Sequence, residues 1–185
     1  MMEVKNLTLR YGDKAVLDHL SLTFPDEGLT FLSGPSGEGK TTLLRVLGGL
    51  LVPQGGEVRV PGRPVLLFQE DRLFPRRTVL QQVEAVLPQE RRGEAMKWLA
   101  LTELAEARDK KPGELSGGMA RRAALSRALA VEGDFWLLDE PFAGVDLECA
   151  RRIIGRLKEL GRPMVITGHT PELARLCHRE IELKG

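Results

Sequence analysis

Leu29-Thr30-Phe31-Leu32-Ser33-Gly34-Pro35-Ser36-Gly37-Glu38-Gly39-Lys40-Thr41-Thr42-Leu43-Leu44-Arg45-Val46-Leu47 decides the fold. Its first five residues read as a buried strand, its last seven as a helix, and between them lies G-x-x-x-x-G-K-T. Glycines at 34, 37 and 39 let the backbone turn tightly and approach a ligand with no Cβ in the way. Successive N–H groups then face one concavity that suits an anion. A helix opening at Gly39 or Lys40 adds its positive dipole end. Lys40 can reach the outer phosphates of a nucleotide and the Thr41 hydroxyl can bind Mg²⁺. The loop alone does not say which nucleotide reaction follows, because many chemistries share it.

The chain around this loop is ordinary in bulk. With 185 residues, 42% hydrophobic and 29% charged, it has the size and composition of a single globular domain with a real core. A net charge of +1 gives no sign of a nucleic-acid partner. Cys149 and Cys177, the two cysteines, each fall in a predicted helix without ligand-like spacing, which fits a reduced compartment. The start of the chain lacks the pattern of a signal peptide. No apolar run approaches the roughly 20 residues that span a bilayer, so any work at a membrane requires another chain to supply the span.

Hydrophobic periodicity orders the rest. Residues 4–9 and 20–24 alternate as half-buried strands, with a turn at Tyr11-Gly12-Asp13-Lys14. Gly48-Gly49 ends the first helix. Short strands are expected over 57–60 and 65–68, the second closing at Gln69. Residues 70–116 are charge-rich, with helical stretches over 78–87 and 89–104 separated at Pro88. A strongly helical run over 120–131 follows Glu114-Leu115-Ser116-Gly117-Gly118-Met119. Apolar strands over 135–138 and 164–167 flank a helix over 147–160, and a helix over 171–177 precedes an edge strand over 180–183. Strands alternating with helices predict an α/β doubly wound core. The helical stretch reads as an insertion into it.

The chemistry-bearing residues sit at strand ends, where such sheets bind ligands. Asp139 follows four apolar residues and can hold Mg²⁺ beside Thr41. Glu140 can act as general base on an attacking water. Gln69 is either a ligand to Mg²⁺ or the water, or a polar strand end. His169 either bonds a γ-phosphate or caps the next helix. Tyr11, the sole tyrosine, stacks on a base or simply closes its strand. Ser116 is a natural N-cap, and Gly117 and Gly118 leave the first turn's backbone bare. That is either an ordinary capped helix or a second anion site. A two-fold pair of chains would use the latter, each chain's serine-glycine turn covering the other's nucleotide.

Taken in order, the phosphate loop, Gln69, Leu115-Ser116-Gly117-Gly118, Asp139-Glu140, Asp146 and His169 resemble the ATP-binding cassette (ABC) proteins over residues 4–183. The most specific parts are Leu-Ser-Gly-Gly followed by Arg-Arg-Ala-Ala-Leu-Ser-Arg-Ala-Leu, and Leu-Leu-Asp-Glu-Pro-Phe. The resemblance implies a single ABC ATPase domain over 1–185. Its P-loop NTPase core is α/β, a mixed sheet flanked by helices. The RecA-like and antiparallel β parts cover about 1–69 and 117–185, and a short α-helical subdomain covers about 70–116. It implies ATP and Mg²⁺ as cofactors. Tyr11 is similar to the adenine-stacking aromatic. Gly34, Pro35, Ser36, Gly37, Glu38, Gly39, Lys40, Thr41 and Thr42 are similar to the Walker A loop. Gln69 resembles the switch glutamine, Glu140 the catalytic base and His169 the switch histidine. Thr41, Gln69 and Asp139 fall to the magnesium side. Leu115, Ser116, Gly117, Gly118 and Met119 stand where a signature meets the partner's ATP. Asp146 resembles the residue linking two sites across a dimer.

Several positions depart from the family pattern. Met119 replaces a glutamine, Thr170 stands where an acid usually follows the histidine, and Leu115 follows Gln69 by only 46 positions (115 − 69). No appended regulatory domain is expected. Residues 69–75 with Thr78 and Val79 resemble importer ATPases for nitrate, sulfonate or taurine, with Arg76 in place of tryptophan; in those, this region docks a short helix of the membrane subunit. The implied function is ATP hydrolysis powering a membrane transporter, a solute importer. The implied partners are a second ABC ATPase chain (a homodimer on ATP binding), an integral membrane permease and a solute-binding protein, with no nucleic acid. The implied location is cytoplasmic, peripheral on the membrane through the permease. The rival reading is a non-transport ABC ATPase, acting in lipoprotein release or division, or on DNA or ribosomes.

Overall fold

The computed structural model describes residues 1–183. Lys184 and Gly185, the last two residues of the domain expected over 1–185, lie outside the described residues. In chain order the regular elements are β1 (Met2–Tyr11), β2 (Lys14–Phe24), β3 (Leu29–Ser33), α1 (Lys40–Leu47), β4 (Gly55–Arg59), β5 (Pro64–Leu67), α2 (Val79–Glu84), α3 (Ala95–Leu101), α4 (Gly117–Ala130), β6 (Phe135–Leu138), α5 (Leu147–Glu159), β7 (Met164–Thr167), α6 (Pro171–Ala174) and β8 (Arg179–Glu182).

Two sheets share the strands. β5-β6-β7-β3-β8 form a five-stranded parallel sheet, and β2-β1-β4 a three-stranded antiparallel one. β3, β5, β6 and β7 are short and mostly apolar because both faces are covered, whereas the edge strand β8 is polar and largely exposed. Period-two alternation sends their side chains to two cores. Trp136, Leu138, Met164, Ile166, Leu29 and Phe31 join a cluster with α2, α3, α4 and α5. Phe135, Leu137, Val165 and Leu32 join one with α1 and the antiparallel sheet. The helical stretch after β5 adds Val79, Val83, Leu87, Trp98 and Leu99 to the first cluster, so it packs as an extension of that face.

Three expectations shift. β2 starts at Lys14, six residues before the expected strand over 20–24. Its pairing with β1 slips register three times, and Asn6 and His19 adopt φ of 49° and 48°. Each slip shifts the inward-facing positions of one strand against the other, so the alternation visible over 20–24 does not continue back through 14–19. The helix expected over 89–104 divides: Gln89–Glu94 is a 3₁₀ turn, α3 follows, and Glu103 at φ 59° ends it. Gly93 weakens the α-helix there, and Arg91 clasps Glu94 three residues on (Nε to Oε1, 2.7 Å), matching the eclipsed spacing of a 3₁₀ turn. Cys177 lies beyond α6, whereas Cys149 is in α5. Both are free, and burial raises both thiols, Cys177 to about 11, which keeps them protonated and unreactive at neutral pH.

Candidate functional site

Strand register gathers the site. Leu67 pairs with Leu138, Leu138 with Ile166, and Leu32 with Thr167. The chain therefore leaves β5, β6, β7 and β3 along one edge, and the loops carrying Gln69, Asp139-Glu140, His169 and Gly34 all begin there. This is the carboxyl edge of a parallel sheet, where ligands bind. A cleft of about 280 Å³ opens at this edge, lined by Tyr11, Val16, Ser36, Gly37, Gly39, Lys40, Thr41, Thr42, Gln69, Glu140 and His169. Ten of these eleven were singled out from sequence; Val16 was not.

The phosphate loop has the conformation its glycines allow. Gly34, Gly37 and Gly39 have φ of 145°, 86° and 92°. A Cβ on Gly39 would stand 2.8 Å from Leu17 and 3.0 Å from the Val16 carbonyl, so the loop sits hard against β2. Lys40, 6% exposed, donates from Nζ to the carbonyls of Gly34 (2.6 Å) and Pro35 (2.8 Å). These bonds bend the ammonium back over the loop, where an incoming phosphate can meet it. Glu38 Oε2 is buried and has no hydrogen-bond partner among the described residues. Gly34, Pro35 and Glu38 shape the loop without lining the cleft.

Behind the cleft lies a short relay. Asp139, 5% exposed, accepts at Oδ1 from the Thr167 hydroxyl (2.8 Å), and that hydroxyl accepts from the Glu140 N–H (2.8 Å). Glu140 takes a φ of 48°, costly for a residue with a Cβ. Its carboxylate meets His169 Nε2 at 3.0 Å. His169 thus braces Glu140 instead of capping α6, whose N-cap is Thr170. The Thr41 hydroxyl, the Asp139 carboxylate and the Gln69 amide are hard oxygen donors of the kind Mg²⁺ takes together with nucleotide phosphates and water. Among the described residues no group of three or more His, Cys, Asp or Glu side chains is gathered for a metal. A protein cage is not needed for an ion that arrives on a nucleotide.

The serine-glycine turn lies apart. Ser116 caps α4, its hydroxyl accepting from Met119 N at 3.3 Å. Leu115, Ser116, Gly117, Gly118 and Met119 are absent from the cleft lining. Met119 is partly buried against the first core cluster. Gly118 backs onto the turn before α5, where an added Cβ would fall 2.5 Å from the Gly144 carbonyl, while Gly117 faces open space. Asp146 caps α5 by accepting from Cys149 N at 3.1 Å.

Sequence reasoning missed Arg121, Asp71 and Thr167. Arg121 is 3% exposed and bonds the ends of both β5 and β6. Its signal was positional: it shares a helix face with Ala124, Leu125 and Ala128, all buried, and a charge in an apolar register needs a partner. Thr167 ended an otherwise apolar strand.

A glycine loop cupped over a helix start, with acids at the end of a strand two places away in the same parallel sheet, defines a P-loop nucleoside-triphosphate hydrolase. Known proteins narrow the class. A family model described as ABC transporter matches residues 17–143. The aliphatic sulfonates import ATP-binding protein SsuB 1 of Nocardia farcinica is 44% identical, across 98% of this chain and 77% of that protein. The intermembrane phospholipid transport system ATP-binding protein MlaF of Haemophilus influenzae is 37% identical, across 90% and 72%. Among solved structures, the dimeric bacterial ABC transporter cassette MJ0796 superposes with a TM-score of 0.87 at 30% identity, covering 100% of this chain and 94% of that one. The same cassette in a post-hydrolysis state bound to ADP and Pi gives 0.86. The chain belongs to the ABC transporter family, and it is an ATPase that uses ATP with Mg²⁺.

Proposed function

We propose that this chain is the ATP-hydrolysing subunit of a membrane importer and works as a head-to-tail pair. The observation that carries this reading is a divided site. The cleft collects Lys40, Thr41, Gln69, Glu140 and His169, while the capped, glycine-bare start of α4 stands outside it. A second copy would bring its own Ser116–Gly118 turn onto the nucleotide and close the site. The similarity to a dimeric cassette supports the same arrangement.

In this mechanism the loop N–H groups and Lys40 hold the phosphates, and Tyr11, 51% exposed at the cleft mouth, offers its ring to the adenine. Thr41, Asp139 and Gln69 would hold Mg²⁺, which would supply positive charge against the phosphates. Glu140, braced by His169, orients the water that attacks the γ-phosphorus and takes its proton. ADP and phosphate leave and the pair opens.

Coupling runs through residues 70–116, read as a helical arm. A largely apolar groove of about 230 Å³ lies between the Gln69 loop and α4, walled by Phe68, Arg72, Val86, Ala124, Ala128 and Val131. Gln82 and Arg127 pin the segment after Gln69 by hydrogen bonds to Phe74, Arg72 and Asp71. A short helix of the membrane subunit docked here would touch the loop that senses the nucleotide. Among the described residues no helix is long and apolar enough to cross a membrane. In the proposed assembly the membrane subunit supplies the span and this chain docks on its cytoplasmic face, as the likeness to import ATP-binding proteins supports. Relatives named for sulfonate and sulfate import support a small anionic solute, delivered by a solute-binding protein.

Affinity purification of the tagged protein from detergent-solubilised native membranes tests the reading. A multi-spanning subunit should co-purify in stoichiometric amount. An active ATPase that brings down soluble partners only would overturn the importer assignment.

A further inference from the structure

We propose that Arg121 is a positioning residue that locks the two hydrolytic loops into one register and ties that register to the start of α4. The inference rests on the roles given above to Gln69 and Glu140. Arg121 is 3% exposed. Its Nε donates to the Glu140 carbonyl (2.9 Å), and its Nη2 to the Asp139 carbonyl. Its Nη1 reaches the carbonyls of Phe68 (2.8 Å) and Gln69 (3.1 Å) and Asp71 Oδ1 (3.0 Å). All but the last of these acceptors are main-chain atoms at the ends of β5 and β6.

The geometry explains why an arginine is required. Only a guanidinium presents five N–H donors in a rigid planar fork. A lysine places all its donors on a single nitrogen and cannot bridge both strand ends. The cost of burying the charge is offset by four carbonyl dipoles and one carboxylate. Glu140 gains most. Its N–H is held by Thr167 and its carbonyl by Arg121, so its left-handed φ of 48° is fixed from both sides. Such strain persists only where the surroundings over-determine it.

The same side chain stands five positions after Ser116, inside the rigid helix that begins at Gly117. A force on the serine-glycine turn from a partner's nucleotide moves α4 as a body. Arg121 carries that movement to the Gln69 and Glu140 loops of its own chain. Each nucleotide therefore reports to the opposite site through one arginine.

Steady-state ATPase kinetics on the full chain test this, with Arg121→Met, Arg121→Lys and Glu140→Gln compared against MgATP binding and thermal melting. Arg121→Met should lower kcat by roughly 100-fold, the cost of a displaced catalytic group. The KM for ATP should stay within about twofold, because Lys40 and its loop are untouched. Arg121→Lys should recover part of kcat, to within roughly tenfold of the parent. A kcat per folded protein within about twofold of the parent in Arg121→Lys and Arg121→Met would overturn the proposal. So would a loss confined to KM. If Arg121→Met does not fold, Arg121→Lys decides alone, since it keeps the charge but cannot make the fork. Glu140→Gln separates the two levels. Full turnover there sinks the underlying reading, whereas inactive Glu140→Gln beside fully active Arg121 variants sinks only the positioning role.

Discussion

The cleft at the sheet edge and the start of α4 are both outlined as anion sites, but their own chain treats them differently. In the cleft Lys40, Glu140 and His169 already have partners, and Thr167 and Arg121 fix the backbone beneath them. At α4 the serine merely caps its helix, and Gly117 looks into open space. Preorganised groups stabilise charge without reorganising when it arrives. A bare helix start needs something from outside to make it a site. On the function proposed, the contrast is that of a half-site built to hydrolyse and a half-site built to meet another molecule.

The sharpest way to break the contrast is in the cleft. Lys40→Ala removes the ammonium poised over the loop, and ATP affinity by titration calorimetry should fall about 100-fold or more. Affinity within threefold of the parent would mean that the loop binds through its N–H groups alone.

At α4 the two glycines give opposite signatures. An added methyl at Gly117 meets nothing among the described residues, so Gly117→Ala should leave the melting temperature unchanged. Turnover should fall about tenfold, the effect of roughly 1.4 kcal/mol of misfit against a partner. Gly118→Ala drives a Cβ to within 2.5 Å of the Gly144 carbonyl, and its melting temperature should drop by several degrees, about 1–3 kcal/mol of overpacking. Equal turnover in Gly117→Ala and the parent would remove the partner-facing role.

Thr167→Val probes the support beneath the cleft. The hydroxyl joins Glu140 N to Asp139 Oδ1, and its loss leaves buried polar groups unpaired at about 1–3 kcal/mol. Unfolding in denaturant and ATPase rates should both register it, the rate by a factor of several.

The smallest effect lies where the helical stretch meets α5. Glu103 binds Arg152 through both carboxylate oxygens (2.7 and 2.8 Å) and also bonds Cys149. These bonds hold its carboxyl at about 2, below the ordinary 4.5. A lowered folded-state value stabilises above the unfolded one, so the contribution is present above about pH 4.5 and lost as pH falls toward 2. The partner arginine is half-exposed, so solvent screening limits the effect to less than about 1 kcal/mol. Melting of Glu103→Gln against the parent should differ at pH 6 and converge in acid. A constant difference would show that packing, not charge, holds the contact.

Much of this was readable because short-range rules apply to it. Glycines at fixed spacing specify a loop, and Leu137-Leu138-Asp139-Glu140 announces an acid at a strand end. The start of β2 and the break at Gln89–Glu94 were unreadable for a stated reason: bulges at Asn6 and His19 erase alternation, and a 3₁₀ turn copies helical composition. Arg121 and Thr167 were visible only as a charge and a hydroxyl in apolar company, which names no partner.

By itself the sequence determined the phosphate loop, the order of strands and helices and the residue types at each strand end, since these depend on neighbours within a turn or a pleat. Only the tertiary structure decided that Gln69, Glu140 and His169 share one cleft, that α4 starts outside it, and that Arg121, 50 residues from Asp71 along the chain, grips both strand ends. Those facts rest on parallel register between strands distant in sequence, and no local pattern encodes which distant backbone atoms a buried charge will find.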